Sequence, residues 1–155
     1  MFERFTQDAR TAVEDARNEA ERRGDSRIGS EHLVIALLRN GYLAKLAGAD
    51  AAGARDAADR LDRAALAAIG LDLGEFRPTE PGTGGRRVRH LTAGARSVLG
   101  QSLAKAGAEK SRTITPRHLM LALLDRPDPD PAAALLAALP IDAAALRARL
   151  GRADR

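Results

Sequence analysis

The 155-residue sequence contains no cysteine and no tryptophan, and aromatic residues make up only 3% of it. Without cysteine the chain can form no disulfide, no thiolate metal site and no cysteine nucleophile. The shortage of aromatic residues also counts against a β-rich fold, because strands favour aromatic and β-branched side chains. Alanine contributes 33 residues instead. This composition predicts an all-α domain of short, closely packed helices.

Long hydrophobic runs are absent from the first 24 residues, MFERFTQDARTAVEDARNEAERRG. This stretch is charged throughout and lacks the run of about seven or more apolar residues that a signal peptide or membrane anchor needs. A chain of this length also has enough residues to bury a core of its own. We therefore expect a globular, cytoplasmic unit that does not enter a membrane.

The net charge of +4 is not concentrated on a basic stripe, because acids and bases alternate through most of the sequence. The one dense cluster of cations is GGRRVRH, which contains Arg86, Arg87 and Arg89 within a glycine-rich linker. Nucleic-acid binding depends on clustered cations that displace counterions from phosphates. A nucleic-acid-binding regulator that uses Arg86 to Arg89 is therefore the alternative function, and we expect it less than protein binding.

The sequence contains an internal repeat with an offset of 86 residues. IGSEHLVIALL (28–38) recurs as ITPRHLMLALL (114–124), and the same offset aligns the segments that precede them. The aligned pairs include Phe5 with Leu91, Thr6 with Thr92, Ala9 with Ala95, Val13 with Leu99, His32 with His118 and Leu37 with Leu123. One aligned pair exchanges an acid for a base, Glu31 for Arg117. A single offset that covers two helices and their loop indicates a duplicated supersecondary unit.

Each copy is predicted to begin with two helices. Apolar residues recur at steps of three and four after Phe5 and after Leu91, which is the spacing of one helix face. Thr6 and Thr92 are placed to act as N-caps, and Gly24 to end the first helix. The second helix is predicted to begin at Ser30 in one copy and at Thr115-Pro116 in the other, and to be buried because it is almost wholly apolar.

The end of each copy is predicted to hold a third and a fourth helix. LDRAALAAIGLDLGEF (61–76) and PAAALLAALPIDAAALRARL (131–150) each contain a break, at Gly70 or Pro140, followed by a cap, Asp72 or Asp142. The expected organisation is repeat one at 1–76, a linker at 77–90 and repeat two at 91–150. The fold class is an eight-helix domain with pseudo-two-fold symmetry.

The segments MFERFTQDAR, IGSEHLVIALL and ITPRHLMLALL resemble the duplicated N-terminal domain of the Clp-family AAA+ unfoldases, of the ClpA and ClpC type. The resemblance covers about residues 1 to 150. The ATPase modules of those unfoldases carry a G-x-x-x-x-G-K-[ST] phosphate loop, which this sequence lacks. We therefore expect a free-standing Clp N-domain protein or an excised domain, without enzymatic activity and without a cofactor.

The resemblance implies a binding module of the Clp proteolysis system. Its expected partners are Clp unfoldase or protease components, adaptors, marked substrate proteins and peptide-like small molecules, and it would act as an adaptor or as a sequestering decoy. Some members of the resembled family recognise phosphoarginine through the first helix of a repeat and the acid of a G-T-E-H-like motif. Carried over to this chain, the ligand-binding residues are Thr6, Glu31 and Thr92, with Thr6 and Glu31 matching in the first copy. The alternative is that the threonines are only helix caps and that Glu31 is solvated. Arg117 would repel a guanidinium, so we expect one such site and not two.

Two further groups of residues were candidates for binding. The resemblance implies an apolar groove that binds cyclic peptide antibiotics, and the matching positions are Phe2, Phe5 and Leu91, although a core contact is an equal alternative for Phe2. His32 and His118 occupy equivalent positions, but no H-E-x-x-H motif accompanies them. We therefore expect each histidine to fix the preceding loop by a hydrogen bond and not to bind a metal.

Overall fold

The computed structural model describes residues 2–71 and 87–152, with the side chains of Phe2 and Arg152 excepted. Within these residues the chain forms eight α-helices and no strand, which confirms the all-α class. A 3-10 turn, Phe2–Arg4, precedes them. The helices are α1 (Gln7–Arg22), α2 (Ser30–Leu37), α3 (Gly41–Ala47), α4 (Ala51–Ala68), α5 (Ala93–Ala108), α6 (Pro116–Leu124), α7 (Pro131–Ala138) and α8 (Ala143–Arg152).

The helices α1 and α5 begin at the predicted caps, and α1 ends at the predicted stop. The Thr6 hydroxyl accepts the Ala9 N–H at 3.2 Å, and the Thr92 hydroxyl accepts the Ala95 N–H at 3.1 Å. After α1 the chain turns at Gly24, whose φ of 75° is the left-handed conformation that commonly ends a helix. Both predicted N-caps and the predicted stop are therefore confirmed.

The short helices α2 and α6 lie at the centre of the domain. Every residue of α2 from His32 to Leu37 is buried, and so are Leu119, Met120, Ala122 and Leu123 of α6. α2 begins at Ser30 as predicted, but the N-cap is Gly29, and the Ser30 hydroxyl instead donates to Asp130. The apolar sequence of these helices is explained by contacts on several sides: α2 packs against α1, α4, α5, α6 and α7.

The two halves are related by a pseudo-two-fold exchange of elements. α1 packs on α2 and α6, and α5 packs correspondingly on α6 and α2. The contact of α4 with α7 is matched by the contact of α8 with α3. At backbone level Phe5 pairs with Ile114, and Leu91 pairs with Ile28. Each half therefore contributes to the packing of the other, and one core joins them.

The third and fourth helices of the first half differ from the prediction. Asn40 caps α3 and Gly48 ends it with a φ of 75°, while Asp50 caps α4 through the Gly53 N–H. α4 therefore begins at Ala51 and not near Leu61. The contacts identify α3 as the counterpart of α7, and α4 as that of α8. The prediction failed because it gave no weight to these local capping signals.

Two of the remaining boundary predictions are confirmed, and two concern residues that the structure does not describe. α4 ends at Ala68 and the chain turns at Gly70, as predicted. The Asp142 cap is confirmed by the bond from the Ala145 N–H to its carboxylate at 3.0 Å. The predicted helix after Asp72 and the linker as far as residue 86 lie outside the described residues.

Within the described residues, no single helix is long and apolar enough to span a membrane. Only together do α7 and α8 have the length and apolar composition of a membrane span, and the chain bends by 103° between them. Their apolar character is accounted for by the core, because Leu135, Leu136, Leu146 and Leu150 are all buried there.

Candidate functional site

Each threonine-capped helix begins beside a loop from the other half of the molecule. The Thr92 N–H donates to the Ile28 carbonyl at 2.9 Å, and the Thr6 N–H donates to the Ile114 carbonyl at 3.0 Å. Thr92 is therefore beside the segment that leads to Glu31, and Thr6 is beside the segment that leads to Arg117. The pseudo-two-fold arrangement thus brings each helix start to the loop of the opposite half, so Thr92, and not Thr6, is bonded to the loop that leads to Glu31. The ligand-binding role expected of Thr6, Glu31 and Thr92 stays a prediction.

The starts of α1 and α5 differ in their suitability for an anion. Backbone N–H groups of the first turn lack partners within the helix and favour negative charge. The first turn of α1 already contains Asp8, whereas the first turn of α5 contains no acid. The Asp130 carboxylate lies close to Gly94 at the start of α5, but Arg126 pairs with it at 2.9 Å and offsets its charge. The start of α5 is therefore the more favourable of the two.

Glu31 has one carboxylate oxygen without a hydrogen-bond partner. Its side chain is 28% exposed, but the Oε2 atom is buried and accepts no bond, while Oε1 lies 3.8 Å from the His32 Nε2 atom. The carboxylate folds back over Gly29 so closely that a methyl group there would overlap it. Glycine at this position therefore allows the approach. A buried acceptor without a donor is costly, so a ligand that moved the Glu31 side chain away from Gly29 and donated to Oε2 would gain from it.

His32 fixes the loop before α2, as predicted, and its tautomer argues against a metal. Its Nδ1 atom accepts the Gly29 N–H at 2.8 Å, so the neutral ring carries its proton on Nε2, which faces the Asp25 carboxylate at 2.7 Å. Ligand atoms of Asp25, Glu31 and His32 lie within 4.8 Å of one another. Even so, neither ring nitrogen retains a free lone pair, and a metal ligand needs one.

His118 is held in the same way, with a different acid. Its Nδ1 atom accepts the Thr115 N–H at 3.0 Å, and its Nε2 atom lies 2.9 Å from the Glu109 carboxylate. The structural role predicted for both histidines is therefore confirmed.

The exchange of Glu31 for Arg117 is accompanied by a second, opposite exchange. Glu109 stands at the position equivalent to Arg23. Arg117 donates to Glu109, and also to the Leu150 carbonyl at 3.4 Å. The guanidinium of Arg117 is therefore engaged within its own half of the molecule.

In the first half, Arg23 is held by acids of α4. It binds Asp59 at 2.8 Å and Asp62 at 2.7 Å. Burial by itself would lower the pKa of Arg23, but the hydrogen bonds and charges of these two acids raise it above its ordinary value. Sequence reasoning missed the second exchange, although comparison of positions 23 and 109 at the repeat offset would have found it.

Two of the three residues of the candidate apolar groove, Phe5 and Leu91, have described side chains. Phe5 is 3% exposed and belongs to the hydrophobic core, so its ring offers no surface to a ligand in this conformation. Leu91 is half-buried and packs against the same core. The side chain of Phe2 lies outside the described residues.

The basic segment is partly neutralised. Arg87 pairs with Glu14 at 2.9 Å, and the neighbouring Val88 N–H donates to Glu21 at 2.8 Å. Arg89 is exposed, and Arg86 lies outside the described residues. The cluster therefore offers fewer unpaired cations than its sequence suggests.

The sequence matches a known protein family, and the fold is similar to that of solved structures. The sequence matches the Clp repeat (R) N-terminal domain family over residues 4–70 and 90–153. The fold is similar to that of the N-terminal domain of the caseinolytic protease associated chaperone ClpD from Arabidopsis thaliana, with a TM-score of 0.74 and 19% identity over the whole of both chains. No curated protein matches the sequence.

Two further solved structures share the fold. The Hsp104 N-terminal domain from Candida albicans has a TM-score of 0.64 and 18% identity, with 97% of this chain and 91% of that chain covered. A protein of a malarial protein secretion system has a TM-score of 0.68 and 17% identity, with 97% and 94% covered.

Proposed function

The chain belongs to the Clp repeat N-terminal domain family, and from this we propose that it is a non-enzymatic binding module of the Clp proteolysis system. Its partners would be adaptors, marked substrate proteins or peptide-like molecules, which it would deliver to Clp components or sequester from them.

Two observations support the proposal: the Oε2 atom of Glu31 has no hydrogen-bond partner, and Thr92 at the start of α5 is bonded to Ile28 in the loop that leads to Glu31. A phosphoarginine side chain has a guanidinium that donates hydrogen bonds and a phosphate that accepts them. The guanidinium would donate to Glu31, and the phosphate would accept from the N–H groups of Ala93 and Gly94. Thr92 would contribute by capping the helix that presents those groups.

The second half is a poorer site for the same ligand. The residue equivalent to Glu31 is Arg117, whose guanidinium already binds Glu109 and would repel that of the ligand. The helix start beside it, α1, carries Asp8 in its first turn, which would repel the phosphate. We therefore propose one phosphoarginine site per chain. Recognition of cyclic peptides at Phe2, Phe5 and Leu91 stays a prediction.

Isothermal titration calorimetry with phosphoarginine tests this site. Replacement of Glu31 by Gln keeps the shape of the side chain and removes its charge, so binding should weaken by about 1.5–3 kcal/mol, the contribution of a charge-assisted hydrogen bond. Asp8→Asn at the start of α1 is the matched control and should leave the affinity within about twofold of the parent. Absence of binding to the parent chain, or equal binding by the parent and Glu31→Gln, would refute the site.

Nucleic-acid binding is tested separately. If the chain is a protein-binding module, affinity purification should enrich Clp components or their substrates, and duplex DNA should bind only weakly at physiological salt. Tight binding to DNA that Arg87→Ala and Arg89→Ala abolish would favour the regulator instead.

A further inference from the structure

A cleft of about 400 Å³ lies between the second half of α4 and the start of α7. Its walls are apolar: Ala58, Leu61 and Ala65 come from α4, and Pro131, Ala134 and Leu135 come from α7. Glu31 lines the same cleft. The cleft therefore combines an apolar surface with the carboxylate whose Oε2 atom has no hydrogen-bond partner.

The second half differs around the residue equivalent to Glu31. α8, the counterpart of α4, places Leu146 and Leu150 in the core at 2% and 0% exposure. Arg117, the counterpart of Glu31, donates to the Leu150 carbonyl and to Glu109. In the first half, Ala65 of α4 is exposed beside the cleft, and the Oε2 atom of Glu31 has no hydrogen-bond partner.

The charged residues around the cleft favour an occupant with a positive charge. Its lining includes the acids Asp25, Glu31 and Asp62, and one cation, Arg23. Arg23 is already bound to Asp59 and Asp62. The remaining excess of negative charge favours a cationic partner, and a buried carboxylate oxygen favours one that donates a hydrogen bond.

We propose that the α4–α7 cleft binds a segment of a partner polypeptide in which a bulky apolar side chain lies next to an arginine or a lysine. The apolar side chain occupies the space between Ala65 and Leu135, and the cation donates to the Glu31 carboxylate. The inference rests on the proposed function only in that the chain binds polypeptides. It requires no phosphate and no contact with the start of α5.

Fluorescence anisotropy with short labelled peptides tests the chemistry of the occupant. The probe is an alanine-rich peptide with a central Leu-Arg pair, and its matched controls replace Leu by Ala or Arg by citrulline, which has a similar shape but no charge. Each control should bind the parent chain about tenfold more weakly than the probe, because one loses the apolar contact and the other the charge. Equal binding of all three peptides, or of none, would overturn the inference.

Two tryptophan substitutions on α4 test the location. Ala65 is exposed and lines the cleft, so Ala65→Trp should fill it and weaken binding of the Leu-Arg peptide about tenfold or more. Ala67 is exposed on the same helix but does not line the cleft, so Ala67→Trp should leave binding unchanged. Glu31→Gln should bind the arginine and citrulline peptides equally. Equal effects of the two tryptophans would contradict the proposed location.

Parallel measurements separate this inference from the phosphoarginine site. If phosphoarginine fails to bind while the Leu-Arg peptide binds as described, the cleft proposal is supported and the phosphoarginine site is refuted. If phosphoarginine binds while the peptide does not, the phosphoarginine site is supported and the cleft proposal is refuted.

Sedimentation of the parent chain tests whether a second copy of the chain occupies the cleft. Concentration-dependent dimers that Ala65→Trp abolishes would identify a second copy as the occupant and overturn the inference.

Discussion

At the scale of single residues, two opposite charge exchanges give the second half an ion pair that the described residues of the first half lack. Glu31 becomes Arg117 while Arg23 becomes Glu109, and the two second-half residues bind each other. Arg117 is therefore explained by a local ion pair as well as by any effect on a ligand. A change in one residue of such a pair leaves the other uncompensated, so the two positions should depend on each other energetically.

A double-mutant cycle checks this dependence. Arg117→Glu places two acids together and should lower the free energy of unfolding by about 1–3 kcal/mol. The double variant Arg117→Glu with Glu109→Arg should recover about half or more of that loss, with a coupling of about 0.5–3 kcal/mol measured by urea denaturation. Additive effects of the two substitutions would show that the pair is not coupled.

How much the sequence reveals about single residues depends on whether their partners are local. Thr6 and Thr92 were identified as caps because the N–H that each hydroxyl accepts is three residues away. The role of Ser30 was not foreseen, because its hydroxyl donates to Asp130, which is 100 residues away in sequence. Pattern reasoning has no access to such a contact.

At the scale of secondary-structure elements, a buried polar cluster ties α2 to the start of α7. The Asp130 carboxylate accepts from Ser30 at 2.5 Å, from the Ala132 N–H at 2.9 Å and from Arg126 at 2.9 Å. Burial by itself would raise the pKa of Asp130, but these hydrogen bonds and the charge of Arg126 lower it below the ordinary 3.8. The ionised carboxylate therefore stabilises the packing between the two halves.

The lowered pKa gives a direction for the pH dependence of stability. Because the folded pKa of Asp130 lies below its unfolded value, the stabilisation is complete above about pH 4 and is lost as pH falls through the folded pKa. Asp130→Asn should therefore lower the free energy of unfolding by about 1.5–3 kcal/mol at pH 7. Its difference from the parent should shrink on acidification, as urea denaturation at several pH values can show.

A cap residue supplies the control for this experiment. Asp142→Asn alters an exposed cap that asparagine replaces well, so it should have little effect at any pH. If Asp130→Asn differs from the parent by the same amount at pH 3 as at pH 7, the carboxylate does not contribute through its charge.

The central helices should carry much of the stability. Leu37 in α2 and Leu123 in α6 are 1% and 0% exposed, so each replacement by alanine should cost about 2–5 kcal/mol in unfolding free energy. Ile69, which is 72% exposed, is the control, and Ile69→Ala should change stability by less than about 0.5 kcal/mol. A loss as small as that at Leu37 or Leu123 would contradict the assigned cores.

At the scale of the whole molecule, the sequence predicted the fold more completely than the contacts between its halves. Composition and periodicity predict the all-α architecture, and the offset of 86 residues shows which residues are equivalent. It does not show which residues touch. The pseudo-two-fold arrangement places Thr92, and not Thr6, beside the loop that leads to Glu31. Contact across the two halves is a property of packing, which the repeat pattern does not encode.

The sequence as a whole also predicts that the chain will not use ATP. It contains no G-x-x-x-x-G-K-[ST] loop to cradle phosphates. Calorimetric titration with Mg-ATP should show no stoichiometric binding, and a phosphate-release assay should show no hydrolysis above a buffer control. Saturable binding of one ATP per chain would contradict a purely protein-binding module.

The central claim is that one site, built from Glu31 and the start of α5, binds phosphoarginine. Amide chemical-shift mapping by NMR tests it most directly, because the two candidate helix starts give separate signals. Titration with phosphoarginine should shift the amides of Ala93 and Gly94 saturably, and leave those of Gln7 and Asp8 in place. Saturable shifts at Gln7 and Asp8, at both helix starts or at neither would contradict the claim.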